Sequence, residues 1–274
     1  MNLYWWISKS GKRNLGDEIT CQILEKKFGC NVKRADIYDA DVISAGSILG
    51  WIYESKSPAM LKRSKELTVL GSGFMHPWVA VEKKNYIDFS MVRGYLTKNI
   101  LGSEVNKDLA VGDPGILFSE VVELKKSVRK KYKFGIIPHM GSFGIKGFFE
   151  RFSQLDSSVY IDFRTSDASE VARVMQECEV ILSQSLHGLI FSDSLSIPNV
   201  WLDLGDLHVG GEFKFYDYFS TVNRPFYKKC GDGLLDGVGV NENVFIADQR
   251  VVDSLKNVVL DRFEDCVKRH GSAS

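Results

Sequence analysis

No cysteine pair in this chain falls at a metal-ligand spacing. Cys21, Cys30, Cys178, Cys230 and Cys266 are odd in number and scattered. That pattern argues against both a zinc site and a disulfide framework, and it fits a reducing compartment. Surplus charge is also missing, since 35 basic residues face 35 acidic ones. Such a chain has no general attraction to nucleic acid or to an anionic membrane, so an anionic ligand must be held by a local cluster. Long apolar runs are absent too: nothing approaches the ~18 residues needed to span a bilayer. The apolar patch at residues 3–7 is too short for a signal-peptide core and lacks a small-residue cleavage pattern. A cytoplasmic location is expected, with peripheral contact at the inner face of the plasma membrane left open. No G-x-G-x-x-G fingerprint, Walker loop or G-x-S-x-G elbow occurs. Neither a nucleotide cofactor nor a serine hydrolase is therefore supported by motif.

What is present is a 274-residue chain, 44% hydrophobic, long enough for one large core or two small ones. Short apolar runs alternate with helical patterns. Residues 3–8 read as a strand and 16–28 as a helix, with Ile19, Ile23, Leu24 and Phe28 at helical spacing. Further strands are expected at 41–45, 66–70, 89–92 and 109–111, with a helix at 95–101. Strand, glycine turn and helix in repetition indicate parallel βαβ units. The basic stretch 125–133 reads equally as a linker or as a solvated helix face. A second series follows, with strands at 134–138, 158–161, 180–182 and 199–202 and helices at 169–177 and 186–195. Near the end, Val251, Val252, Leu255, Val258, Val259 and Phe263 form one face of a helix, the pattern of a core contact. The expected fold is α/β, with two Rossmann-like domains of parallel sheet at 1–128 and 129–274. Their cleft should lie at the carboxyl ends of the strands.

Eight segments sit at such ends. Asn14-Leu15-Gly16-Asp17 places a glycine and free N–H groups at a helix start. That arrangement suits an anion or a sugar hydroxyl, and equally a plain cap. The small-residue turns around Gly46-Ser47 and Gly71-Ser72 can floor a cleft or simply pack against helices. Arg93, in Val92-Arg93-Gly94, follows a strand and can grip a carboxylate or phosphate with two N–H groups, or form a surface salt bridge. Asp113, in Gly112-Asp113-Pro114-Gly115, is expected to cap its turn. His139 ends a strand, and the loop behind it, with Lys146, can act as a lid. In Ser183-Gln184-Ser185-Leu186-His187-Gly188, an apolar strand stops and a helix starts. Ser185 can cap it, and the helix start would favour an anion and depress the pKa of His187, leaving it an acid or base near neutral pH. Lys214, in Phe213-Lys214-Phe215-Tyr216-Asp217-Tyr218, and Arg224 lie in a stretch that suits either a ligand-contacting loop or a half-buried strand.

In this order, the set N-L-G-D, G-S-I-L, G-S-G, V-R-G-x-x-T, G-D-P-G, I-P-H, S-x-S-L-H-G-L-I and K-F-x-D-Y resembles the polysaccharide pyruvyl transferase family. The similarity is greatest to the ketal-forming branch of exopolysaccharide synthesis, and it runs from Asn14 to about Arg224. The resemblance implies a GT-B-like pair of domains, with acceptor bound on the first and donor on the second. It also implies phosphoenolpyruvate as donor, no required metal or other cofactor, and a sugar acceptor of an exopolysaccharide or capsule repeat unit carried on a lipid. Arg93 falls on the family's V-R arginine, and Leu186 and His187 on its L-H pair, with His187 as acid/base. Many members carry arginine immediately before that pair, where this chain has Ser185. Lys214 and Arg224 are the candidates for the missing cation. Two other readings share the architecture: a glycosyltransferase using a nucleotide sugar, and a non-catalytic protein that binds glycan or phosphoenolpyruvate.

Overall fold

The computed structural model describes residues 1–8, 11–55, 63–125, 127–205, 210–231 and 237–271. The first sheet is built from β1 (Asn2–Tyr4), β2 (Lys33–Arg34), β3 (Val42–Ile43), β4 (Leu67–Ser72), β5 (Ile87–Val92) and β6 (Ala110–Val111), in the order β2-β1-β3-β4-β5-β6. Every pairing in it is parallel. The second sheet contains β7 (Tyr132–Ile137), β8 (Ser158–Tyr160), β9 (Cys178–Ser183) and β10 (Asn199–Trp201), ordered β10-β9-β7-β8 and again parallel. The molecule is thus α/β, with two open Rossmann-like sheets. A sheet covered on both faces needs strands that are apolar throughout, and all six residues of β4 are buried.

The first strand stops at Tyr4, short of the 3–8 expected. Its partners β2 and β3 pair only with residues 2–4, and the chain then leaves the sheet so that Trp6 reaches the cleft. Helix α1 (Leu15–Lys26) follows, then α2 (Leu49–Glu54) after β3 and α3 (Tyr95–Leu101) after β5. In the second half, α4 (Ala168–Gln176) precedes β9 and α5 (Leu186–Ser194) follows it. Residues 213–219 form a helix, α6 (Phe213–Phe219), instead of a loop or strand. Aromatic rings at 215 and 219 are one turn apart, and both rest on the buried Trp201. That 3.6-residue spacing outweighs the alternation of rings and charges that reads as a strand.

After α7 (Gly237–Glu242), the long helix α8 (Gln249–His270) returns to the first sheet. Its buried stripe is Val252, Leu255, Val259, Phe263 and Cys266. Phe263 stacks on Phe28 at 5.9 Å, and His270 shares a 2.8 Å hydrogen bond with Thr68 of β4. Each such fully buried apolar side chain contributes about 1.5–3 kcal/mol. A 3₁₀ segment, Pro114–Glu120, joins the halves. Phe118 stacks on Phe191 of α5 at 4.0 Å, and the Ser119 N–H donates to Ser194 Oγ at 3.0 Å. The principal apolar cluster accordingly contains residues of both halves. Residues that follow the carboxyl ends of strands in both sheets line one shared cavity.

Candidate active site

Each turn that leaves a strand toward this cleft is shaped by a local constraint. Asn14 caps α1, accepting from the Gly16 N–H at 3.1 Å, while its amide donates to Asp17 at 2.8 Å. Gly46 follows β3 with φ 106, a region that favours glycine. Its carbonyl accepts from the Ser72 hydroxyl at 2.9 Å, and that hydroxyl accepts from the Ile48 N–H at 3.3 Å. Ser72 and Gly71, which packs against Pro114, thus hold the cleft floor from behind. At the start of α5, the Ser183 hydroxyl accepts from the Ser185 N–H at 3.0 Å. Ser185 sits at the cap position, but its own side chain makes no cap bond there.

The cavity so formed holds about 280 Å³, at the small end of the ~300–1,000 Å³ typical of small-molecule sites. Asn14, Asp17, Gly46, Ser47, Arg93, His139, Ser185, Leu186, His187 and Lys214 all line it. The polar candidates from the two sheets therefore meet in one place. Trp6, Ile48, Trp51, Met75 and Met140 complete the wall. Apart from Ile48, which stands in the G-S-I-L segment, none of these carries a motif signal, because a hydrophobic residue facing a ligand reads in sequence like one facing a core.

Arg93 is fully buried, and so is Asp217, which takes its Nε–H at 2.9 Å. Arg93 Nη1 donates to Ser47 Oγ at 2.7 Å, and Nη2 to the Phe74 carbonyl at 2.5 Å. Three of the five guanidinium N–H groups are thereby used by the protein, and the residue itself borders the cavity. Asp217 also accepts from the Thr97 N–H at 2.8 Å and the Thr97 hydroxyl at 2.6 Å. This anchoring aspartate lies in the K-F-x-D-Y motif, so a signal for it was present. Its pairing with an arginine 124 positions away was not.

His187 is buried to 6% exposure. Its ring lies against Gly16 so closely that a Cβ there would sit 2.2 Å from Nδ1. Nε2 is 3.7 Å from Asp113 Oδ1, which itself accepts from the Gly115 N–H at 2.8 Å. Asp113 thus caps its turn and faces the histidine from beneath the cleft. Burial, then the positive charges of Lys214 and Arg93, push His187 down to about 3. Burial and Lys214 push His139 down to about 4. Consistently, His139 Nδ1 accepts a hydrogen bond from the Gly141 N–H at 3.1 Å. Burial thus favours the neutral form of both imidazoles at pH 7. Lys214, at the start of α6, is lowered to about 7 by burial and by Arg93, with Asp17 opposing. Asp17 is raised to about 7 by burial, against the pull of Lys214. Burial thus disfavours the charged form of both this carboxyl and this amine, and each opposes the shift of the other.

Arg224 does not reach the cleft. It is 2% exposed, donates to Asn199 Oδ1 at 2.5 Å, and lies over the rings of Phe219 and Phe245 at 4.7 and 4.8 Å. Its charge offsets Asp193, a buried carboxyl that desolvation raises to about 6. The tight turn after α6 points the side chain inward, so it serves as a buried counter-ion.

Among the described residues, no helix is long and apolar enough to cross a membrane, and no group of three or more His, Cys, Asp or Glu is placed to hold a metal ion. The chain is 27% identical over 216 residues to "Uncharacterized protein L143" of Acanthamoeba polyphaga mimivirus, covering 76% of this chain and 75% of that one. It is 27% identical over 227 residues to "Succinoglycan biosynthesis protein ExoV" of Rhizobium meliloti (strain 1021), covering 82% of this chain and 66% of that one. The family pattern for polysaccharide pyruvyl transferases matches residues 14–206, the span that begins at the Asn14 cap and takes in β2 to β10 with Arg93 and His187. By that match this chain belongs to the polysaccharide pyruvyl transferase family.

Proposed function

We propose that the chain transfers the enolpyruvyl group of phosphoenolpyruvate to a pair of hydroxyls on one sugar of an exopolysaccharide or capsule repeat unit, forming a pyruvate ketal and releasing phosphate. The observation that carries this reading is the convergence of Arg93, Lys214, His139 and His187 on one small cavity in a chain of zero net charge. Such a pocket suits a compact polyanion. Arg93 and Lys214 bind the donor's phosphate and carboxylate, aided by the free N–H groups at the start of α5. Once the donor's negative charge is in place, His187 gains proton affinity and can act as acid. The methylene carbon takes a proton, and C2 becomes electron-poor. One sugar hydroxyl attacks C2, the C2–O bond to phosphate breaks, and a neighbouring hydroxyl closes the ring. Of the two hydroxyl protons lost, one is matched by the new methyl C–H and one leaves on phosphate. Asp17 and Asn14, on the first sheet's side of the cleft, hold the acceptor, and Asp17 is placed to take its proton. The chemistry calls for no metal or other cofactor. We further propose that the acceptor is lipid-linked and met at the inner face of the membrane. The name of the succinoglycan relative supports an exopolysaccharide acceptor.

The test is incubation with phosphoenolpyruvate or, separately, nucleotide sugars, followed by lipid-linked oligosaccharides. Thermal stabilisation by phosphoenolpyruvate alone, phosphate release, and a gain of ~70 mass units on the glycan are expected. Stabilisation by a nucleotide sugar instead would refute the reading.

A further inference from the structure

Beside the cleft lies a second depression of about 320 Å³, lined by Ile37, Tyr38, Trp51, Glu54 and Ser55. Trp51 borders both, so the depression continues the cleft outward over one indole. This tryptophan is 46% exposed, and the edge-on ring of Tyr4 holds it at 6.3 Å. Tyr38 is 38% exposed. On the same rim, His76 Nε2 lies 3.3 Å from Glu54 Oε1, and the 66% exposed Trp78 stacks flat on His76 at 4.6 Å. Exposed aromatics gathered at one rim mark a binding surface. Among the described residues no lysine or arginine lines the outer depression, so its described wall differs in chemistry from that of the cationic cleft. Flat rings with an adjoining carboxylate suit the C–H face and hydroxyl edge of a pyranose.

We propose that this groove is a glycan subsite, holding the uncharged sugar next to the one that receives the pyruvyl group. The proposal rests on the transfer reading above and adds that the enzyme grips the acceptor chain over at least two sugars. Tyr38 touches only the outer groove, so it separates this claim from the donor site.

The test compares wild type, Tyr38→Ala and Trp51→Ala by saturation-transfer NMR titration. The ligands are β-linked gluco- and galacto-oligosaccharides of two and of four residues. Wild type should bind the tetrasaccharide of one series about tenfold more tightly than its disaccharide, the scale of one aromatic contact. Both substitutions should abolish that preference, and Tyr38→Ala should keep the thermal shift given by phosphoenolpyruvate. Equal affinity for both lengths in wild type, a preference surviving both substitutions, or no sugar binding at all would overturn the subsite. So would loss of binding to phosphatidylethanolamine–phosphatidylglycerol vesicles in Trp51→Ala with sugar binding unchanged, since the rim would then belong to a membrane. Absence of a phosphoenolpyruvate shift in wild type counts against the transfer reading alone.

Discussion

Removing Asp217 tests how the cleft is held together. Its carboxylate and the Arg93 guanidinium are both completely buried, and the same carboxylate takes two hydrogen bonds from Thr97. In Asp217→Ala the guanidinium stays in the interior with its charge uncompensated, and the Thr97 N–H loses its acceptor. Breaking a buried pair in this way costs about 3–5 kcal/mol, with ~1–3 kcal/mol for an orphaned donor as a partly overlapping contribution. For a chain of this size each kcal/mol lowers Tm by roughly 2–4 °C, so the expected drop is on the order of 10 °C. Urea unfolding should give the matching loss in midpoint. Arg93→Met with Asp217→Leu removes both charges together and should recover most of the stability while abolishing donor binding, because an apolar replacement for a buried pair is close to neutral. The reasoning fails if Asp217→Ala loses less than ~1 kcal/mol, or if the double variant is as unstable as the two single losses added together.

Gly16→Ala places a Cβ in the His187 ring; turnover should fall at least ~100-fold, as for loss of an acid/base group, while the far-ultraviolet circular dichroism spectrum is retained. Wild-type turnover in that variant would show that the imidazole can move without consequence. Nitrogen-15 NMR of the histidines should find His187 and His139 neutral down to about pH 5 in the empty enzyme, because burial holds both well below 6.5. Their lowered values mean that the unfolded chain takes up those protons first, so the contribution of these two residues to stability falls as pH drops from 6.5 toward 4, while the raised carboxyls of Asp17, Asp113 and Asp193 act in the opposite direction over the same range; titration of either histidine near 6.5 would contradict the buried environment. Arg224→Met should destabilise by about 1–3 kcal/mol by leaving the buried Asn199 Oδ1 without its donor, yet leave the Kd for phosphoenolpyruvate within twofold; a large loss of donor affinity in a folded variant would return Arg224 to the site.

The elements that could be read in advance are those whose signal is local. Helix α3 begins and ends where its spacing and its flanking Gly94 and Gly102 indicate, and the turns at Gly46 and Gly71 carry the positive φ that their glycines suggest. Parallel topology then does the rest. Once each strand is followed by its turn, all the turns lie on one edge, and the polar residues of Asn14, Ser47, Arg93, His139 and His187 must converge. What could not be read is set by contacts between distant positions. Lys214 and Arg224 look alike as candidate cations, ten residues apart. The helical turn of α6 sends Lys214 into the cleft, while the turn that follows buries Arg224 against Asn199. The C-terminal helix shows its apolar stripe plainly, but not that the stripe covers the first sheet and not the second. Charge at the site also depends on the assembled molecule. No local pattern says that Lys214 will lose proton affinity and Asp17 gain it, since both shifts come chiefly from burial between two sheets contributed by chain segments about 200 residues apart in sequence. The same enclosure strengthens each remaining charge by excluding water. An overall neutral chain can thus concentrate positive potential where an anion must sit, provided that Asp217 and Asp113 keep the arginine and histidine from turning away.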